Sequence, residues 1–444
     1  MKNKNWLFLI LFLLLTLIKV QSEAAVKAIN EPLQVGVGQA VIQIPEGFLP
    51  AQGFTGMHDD LYVKTILLNN GRNKIAIVSI DLTSLGNIDG LKDVVQKITG
   101  VKPENIFIYA AHNFSSPHMF GGDGDEKTAM FSLAIDKAIE ASAKTAFVSM
   151  QFAKIGYGTG ISNVNINRDI LTADGWWHGG DASGYSDKEL GVMKIDDLSG
   201  KALAIFMNYS VQSSILDESV SNKGECVISA DLAGAATNYV EEKYKNEGTI
   251  AFFGVGSAGD QSPIFMANRY TIDNNGAAVR KDIHDDGYVL LDLLGERLGT
   301  DTIKVAENIT DKQSDVDLTV IHDSVICQSQ KMPEHQKATD MRPVKQYVYQ
   351  DNGEIKVPID IMKVGNIAIV GIQPELASKI GANIKKKSPI KNTMVLTMVN
   401  GAAKYMADKN SYDKFTYEAR NSQYAKGSAE RVEDKILSML ETLK

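Results

Sequence analysis

Downstream of residue 34 the chain alternates short apolar runs, bounded by turn residues, with stretches whose apolar positions recur every three or four residues. The runs predict strands and the longer period predicts helices. Runs at 61–68 and 74–82 flank Asn69-Asn70-Gly71, a strong hairpin signal. Residues 105–111 predict a short buried strand that ends at His112. Phe131, Ala134, Ile135, Ala138 and Ile139 fall on one face of a helix predicted over 128–143. Segments 192–196 and 202–209 predict a second hairpin about Ser199-Gly200, followed by a helix within 229–245 and a buried strand over 249–255. Asp351-Asn352-Gly353 predicts a turn joining two strands within 347–357, and Gly365-Asn366 a turn between 357–364 and 367–372. Pro374 predicts the start of a helix running from Glu375 towards Lys386, and 429–443 reads as a last amphipathic helix. Hairpins mixed with helices predict an α/β fold with mixed sheets and flanking helices. No repeat and no Pro/Ser-rich linker divides the chain, which predicts one large domain.

The first residues do not fit this alternation. Lys2 and Lys4 precede an apolar run over 6–18, and Gln21-Ser22-Glu23-Ala24 follows it. That order predicts an export signal over residues 1–24, cleaved between Ser22 and Val26, with a mature domain over 25–444. An uncleaved anchor is the alternative; the run is shorter than the roughly 20 residues of a spanning helix. The mature protein is expected to be secreted or extracytoplasmic.

Composition narrows the function. Of 444 residues, 44% are hydrophobic and 23% charged, within the globular range. With 46 Lys and Arg against 54 Asp and Glu the net charge is −8, which disfavours nucleic acid as a partner. Two cysteines, Cys226 and Cys327, exclude a disulfide scaffold and a cysteine-built zinc cage, and leave a single bridge open. Gly254-Val255-Gly256-Ser257-Ala258-Gly259 matches a dinucleotide fingerprint, but Pro263 follows closely and no βαβ unit surrounds it. These glycines are read instead as letting backbone approach a site closely. The seven histidines form no H-E-x-x-H or His-x-His pair. The asparagines of Asn163-Val164-Asn165-Ile166-Asn167-Arg168 fall on one face of a strand, with a solvated face as the plain alternative.

In their order along the chain, these segments resemble the catalytic domain of the neutral ceramidase family. Gly56-Met57-His58-Asp59-Asp60-Leu61-Tyr62 is similar to its early Gly-x-His…Leu-Tyr segment, and Ala111-His112-Asn113-Phe114-Ser115-Ser116-Pro117 to its Thr-His-Thr-His-Ser-Gly-Pro segment. Asn165-Ile166-Asn167-Arg168, the segment from Asn208 to Ser214, Ser229-Ala230-Asp231, Gly259-Asp260-Gln261-Ser262-Pro263, Pro374-Glu375 and the series Tyr405, Tyr412, Tyr417 complete the resemblance. It implies a zinc-dependent amidohydrolase that cleaves the N-acyl amide of ceramide or a related lipid. His112, Glu375 and Tyr405 fall on metal-ligand positions, Ser262 on the catalytic serine, and Arg168 and Tyr417 on residues lining the reaction centre. The implied cofactor is Zn²⁺ and the implied partners are a lipid amide and, with it, a membrane surface; no protein partner is implied. Two positions depart from the pattern. Gln212 takes the place of the second metal histidine, and Phe114 that of the second histidine in Thr-His-Thr-His; an amide carbonyl is the poorer zinc donor, and His118 is the nearest spare imidazole. The chain also ends near the point where ceramidases continue into an immunoglobulin-like domain, so that domain is not expected here. A hydrolase of a different amide or ester, and a catalytically silent domain binding a lipid or glycan, are the alternatives.

Overall fold

A computed structural model describes residues 31–119, 126–333 and 342–444. The predicted export signal lies outside the described residues. Among the described residues no helix is long and apolar enough to cross a membrane.

The body is layered helix–sheet–sheet–helix, because its strands carry apolar residues on both faces. A nine-stranded mixed sheet runs Ile250–Val255, Ala202–Tyr209, Glu189–Asp197, Gln151–Ile161, Gln34–Val41, Tyr62–Asn69, Lys74–Ile80 and Ile106–Ala110, with Lys312–Gln313 added beside Gln151–Ile161. Pairing is parallel only at its two ends and antiparallel between. One face packs on the helices Ile88–Thr99, Glu126–Val148, Asp231–Lys243 and Asp286–Glu307, through residues such as Val78, Met207, Ile135 and Leu298. Its other face, with Ile77, Phe107, Phe206 and Phe252, meets Met362, Ile369 and Met394 of a second sheet. That sheet is ordered Leu318–Gln330, Asp351–Val364, Ile367–Ile372 and Asn392–Leu396, and is backed by the helices Ser378–Lys387 and Ser428–Glu441. Burial on both faces drives this arrangement, each large apolar side chain contributing roughly 1.5–3 kcal/mol.

Most predicted elements form where expected: both hairpins, the strand leading to His112, the helix carrying Phe131 and Ile135, and the turn at Gly365. Two do not. Asp351-Asn352-Gly353 makes no turn between strands; it opens the single strand Asp351–Val364 and is absorbed as a bulge opposite Gln328 and Gln330. Gly353, at φ +77°, supplies the left-handed residue that such a bulge uses. The helix predicted from Glu375 starts at Ser378 instead, because Glu375–Leu376 is held as a strand against Tyr405–Met406. The two cysteines are unbridged.

Asp81, just past the strand Lys74–Ile80, is buried and accepts the backbone N–H of Tyr62 at 2.9 Å. Burial pushes its carboxyl up to about 6, against the opposing pull of Lys64 and the Tyr62 N–H. With the native value raised above that of the unfolded chain, the folded state holds the extra proton. Asp81 therefore lowers stability as pH rises from about 4 to about 6, by up to about 3 kcal/mol. Asp81→Asn is expected to flatten that part of the profile. Urea unfolding of both proteins at the two ends of the window checks it; parallel profiles would refute the assignment.

Candidate active site

Three strands of the large sheet deliver site residues from their C-terminal ends. Ile106–Ala110 leads to His112, Ala202–Tyr209 to Gln212, and Ile250–Val255 through its glycines to Ser262. From the second sheet, Ile367–Ile372 leads to Glu375. Glu375 pairs directly with Tyr405 in a two-residue parallel ladder, and its N–H donates to the Lys404 carbonyl at 2.8 Å.

The loops are clamped by the residues of the motifs. A Cβ on Gly259 would lie 2.7 Å from the Glu375 carbonyl oxygen, so this glycine permits the close approach expected of it. Asp260 accepts the Ser378 N–H at 2.7 Å and its hydroxyl at 3.0 Å, fastening the segment after Glu375. Asp231 accepts the N–H groups of Ile215 and Leu216, both at 2.8 Å, and the Ser115 hydroxyl at 2.8 Å. It thereby ties the Gln212 loop to the His112 loop. Asn165 and Asn167 do share a face, but a buried one, bonded to Asp187, Gln261 and Asp260. The solvated-face alternative fails, and the opposite face sends Ile166, Arg168 and Ile170 into a cavity.

That cavity has a volume of about 970 Å³. Arg168, Gln212, Ser262, Tyr405 and Tyr417 border it together, and Phe54, Phe114, Trp177, Ile264 and Phe265 supply apolar wall. Ser262 is held by backbone pairing opposite Ile166, and its hydroxyl hydrogen-bonds to no described side chain. Tyr412 does not take part; it packs in the core and donates its hydroxyl to the Tyr424 carbonyl. His118 lines the same cavity, its backbone held by a reciprocal amide pair with Gln52.

Behind the wall runs a continuous polar chain. His112 Nδ1 lies 2.8 Å from the Thr83 carbonyl, which can only accept, so Nδ1 carries a proton. Its Nε2 is 2.8 Å from Glu375 Oε2 but makes no regular hydrogen bond there. Gln212 Nε2 donates to the same carboxylate oxygen at 2.8 Å, and Gln212 Oε1 accepts from Arg168 Nη1 at 2.6 Å. Arg168 Nε donates to Glu418 Oε1 at 2.7 Å, Nη2 lies 2.7 Å from the same oxygen without a regular hydrogen bond, and the guanidinium lies over the Tyr405 ring at 5.1 Å. Burial raises the Glu375 carboxyl, but His112, Arg168 and Gln212 more than offset it and hold it below the ordinary value. Burial keeps the Tyr405 and Tyr417 phenols protonated despite Arg168. His112 adopts a left-handed conformation, φ +57°, which costs a residue with a side chain about 1 kcal/mol or more.

Does this donor set fit zinc? Among the described residues no three His, Cys, Asp or Glu side chains group as a metal site. His112 and Glu375 nevertheless suit a cation. With Nδ1 committed to Thr83, the buried Nε2 faces a carboxylate oxygen, and only a proton or a metal ion reconciles the two. Tyr405 stands in register beside Glu375 on the paired strand. Gln212 does not fit. Arg168 can only donate and Glu375 only accept, so the amide has one orientation, with its oxygen spent on Arg168.

His112, Glu375 and Gln212 are thus brought together as the sequence leads one to expect, with Arg168, Tyr405, Tyr417 and Ser262 around them. Glu418, Asp169 and His178, which surround Arg168, were not anticipated. Each is the chain neighbour of a residue that was singled out or belongs to the short list of histidines.

No protein-family model and no curated protein matches the chain. Solved structures do. The chain is similar to a ceramidase complexed with C2, at a TM-score of 0.72 and 17% identity, over 93% of this chain and 75% of that one. It is similar to the same extent, with a TM-score of 0.71, to the neutral ceramidase from Pseudomonas aeruginosa. The α/β fold of this chain is therefore the fold of the neutral ceramidases.

Proposed function

We propose that the cavity is the active site of a ceramidase-type amidohydrolase that cleaves the N-acyl amide of ceramide or a related lipid. One observation carries this reading: an unbonded serine hydroxyl, a fixed guanidinium and two protonated phenols border one cavity with a partly apolar wall, directly in front of His112 and Glu375. The apolar wall offers an acyl chain a dry surface. Arg168, held from three sides, brings a positive charge to the wall without reorganisation, and the Tyr417 hydroxyl is available as a donor; both would stabilise charge developing on an amide carbonyl. The Ser262 hydroxyl stands free to attack that carbonyl or to orient water towards it. His112, Glu375 and Tyr405 would hold a zinc ion, which when bound supplies hydroxide near neutral pH. Export of the chain belongs to the same reading and rests on residues 1–24.

The second reading, a silent lipid-binding domain, is favoured by one contact, the Gln212 oxygen turned to Arg168. Incubating the purified protein with a fluorescent ceramide, with and without added zinc, tests both. Released fatty acid supports the amidohydrolase. Binding without hydrolysis in either condition supports the silent domain and ends the first reading. Gln212→His is expected to tighten zinc at least about 10-fold, since imidazole is the better donor; calorimetric titration reads it, and equal affinities would mean that position 212 does not face the metal.

A further inference from the structure

Three buried carboxyl groups gather about the Arg168 guanidinium. Glu375 reaches it through Gln212, Glu418 holds it directly, and Asp169 lies in hydrogen-bonding contact with Glu418. Asp169 and Glu418 are both buried, at 7% and 2% exposure. One oxygen of each, Asp169 Oδ1 and Glu418 Oε2, is sealed from solvent and has no donor. Two ionised carboxylates cannot satisfy each other, since each can only accept. A single proton between them removes both vacancies at once, in the manner of other carboxyl pairs in close contact.

We propose that Asp169 keeps its proton in the folded protein and donates it to Glu418, which makes Asp169 a positioning residue for Arg168. With that bond in place, one Glu418 oxygen is committed to Asp169 and the other is left to the guanidinium, accepting Nε and lying 2.7 Å from Nη2. The groups around Asp169 agree. Burial, Glu418 and Asp260 all drive its carboxyl up, against the pull of Arg168 alone. Opposite it on the neighbouring strand, His178 supplies no cation, because burial and then Arg168 push its imidazole down to about 3, with Arg280 and Arg420 acting in the same direction. Glu418 itself is held well below the usual carboxylate range by Arg168 and by the hydrogen bond with Asp169, in spite of its burial. The pair is therefore one acid and one carboxylate, with Asp169 as the acid.

Infrared difference spectroscopy in heavy water tests this without reference to any activity. At about pH 8.5, above the values near 6, 7 and 6 of Asp81, Asp217 and Asp260, wild type should still show the carbonyl stretch of a protonated carboxyl. Asp169→Asn should lose that band while keeping the thermal midpoint, because its amide N–H replaces the lost donor. Asp169→Val, which offers no donor, should melt earlier. A band that survives in Asp169→Asn overturns the proposal. Should the variants fail to fold, carbon-13 NMR of aspartate-labelled wild type at the same pH decides alone: a full set of ionised aspartates overturns it, and one that does not titrate down to that pH supports it.

Discussion

Replacing Ser262 by alanine is expected to lower turnover of an N-acyl amide by at least about 10²-fold, the low end for loss of a positioned catalytic group, with the thermal midpoint unchanged. The geometry separates the two halves of that statement. Backbone pairing opposite Ile166 fixes the position of Ser262, so the strand survives without the hydroxyl. The hydroxyl borders the cavity and caps nothing, so its removal leaves no buried partner stranded. A residue that capped the turn before Pro263 would behave in the opposite way, losing about 1 kcal/mol of stability and no activity. Turnover and thermal unfolding measured on one preparation distinguish them; full activity with lowered stability would remove Ser262 from the mechanism.

The largest effect on stability is expected from Glu418→Ala. Glu418 is buried, accepts Nε of a buried Arg168 and lies 2.7 Å from its Nη2. Removing it leaves a largely buried guanidinium without its carboxylate, and breaking one side of such a pair costs about 3–5 kcal/mol. Glu418→Gln should cost less, because an amide oxygen still accepts from Arg168. Urea denaturation of the three proteins gives the order; Glu418→Ala as stable as wild type would mean that water or another carboxylate reaches Arg168.

These two residues mark what the chain discloses before it is folded. Periodicity places His112 at the end of a predicted buried strand and Ser262 beyond the glycines that follow another, but the roles of both come from the resemblance to the neutral ceramidases, in the order of motifs along the chain. The shared face of the asparagines follows from their alternation, whereas Arg168 was singled out only by the resemblance; the structure sets it with Ile166 on the cavity side. Glu418 was not singled out. Its importance lies in an ion pair across 250 residues of sequence, and nothing local at Tyr417-Glu418 distinguishes it from a surface glutamate at the start of a short helix. The strand at Glu375 was hidden for the same reason. Proline before an acidic residue favours a helix start, and only the distant Tyr405 ladder overrides that preference. The bulge at Gly353 likewise needs the partner strand to be visible, since a glycine with positive φ serves a turn and a bulge equally well.

Gln212 carries a last consequence. What Arg168 and Glu375 require between them is a short rigid dipole, accepting at one end and donating at the other. A primary amide meets that description, and so does neutral imidazole, with one bare nitrogen and one N–H. To its two protein neighbours the exchange of histidine for glutamine is therefore almost silent: the polarity of the bridge is the same. To a metal ion it is not, for an imidazole can turn its bare nitrogen to the ion and give up one bond, whereas an amide that turns its oxygen must bring N–H against guanidinium. Position 212 can thus drift between the two residue types without loss of the folded architecture, each crossing altering only the affinity for a cation.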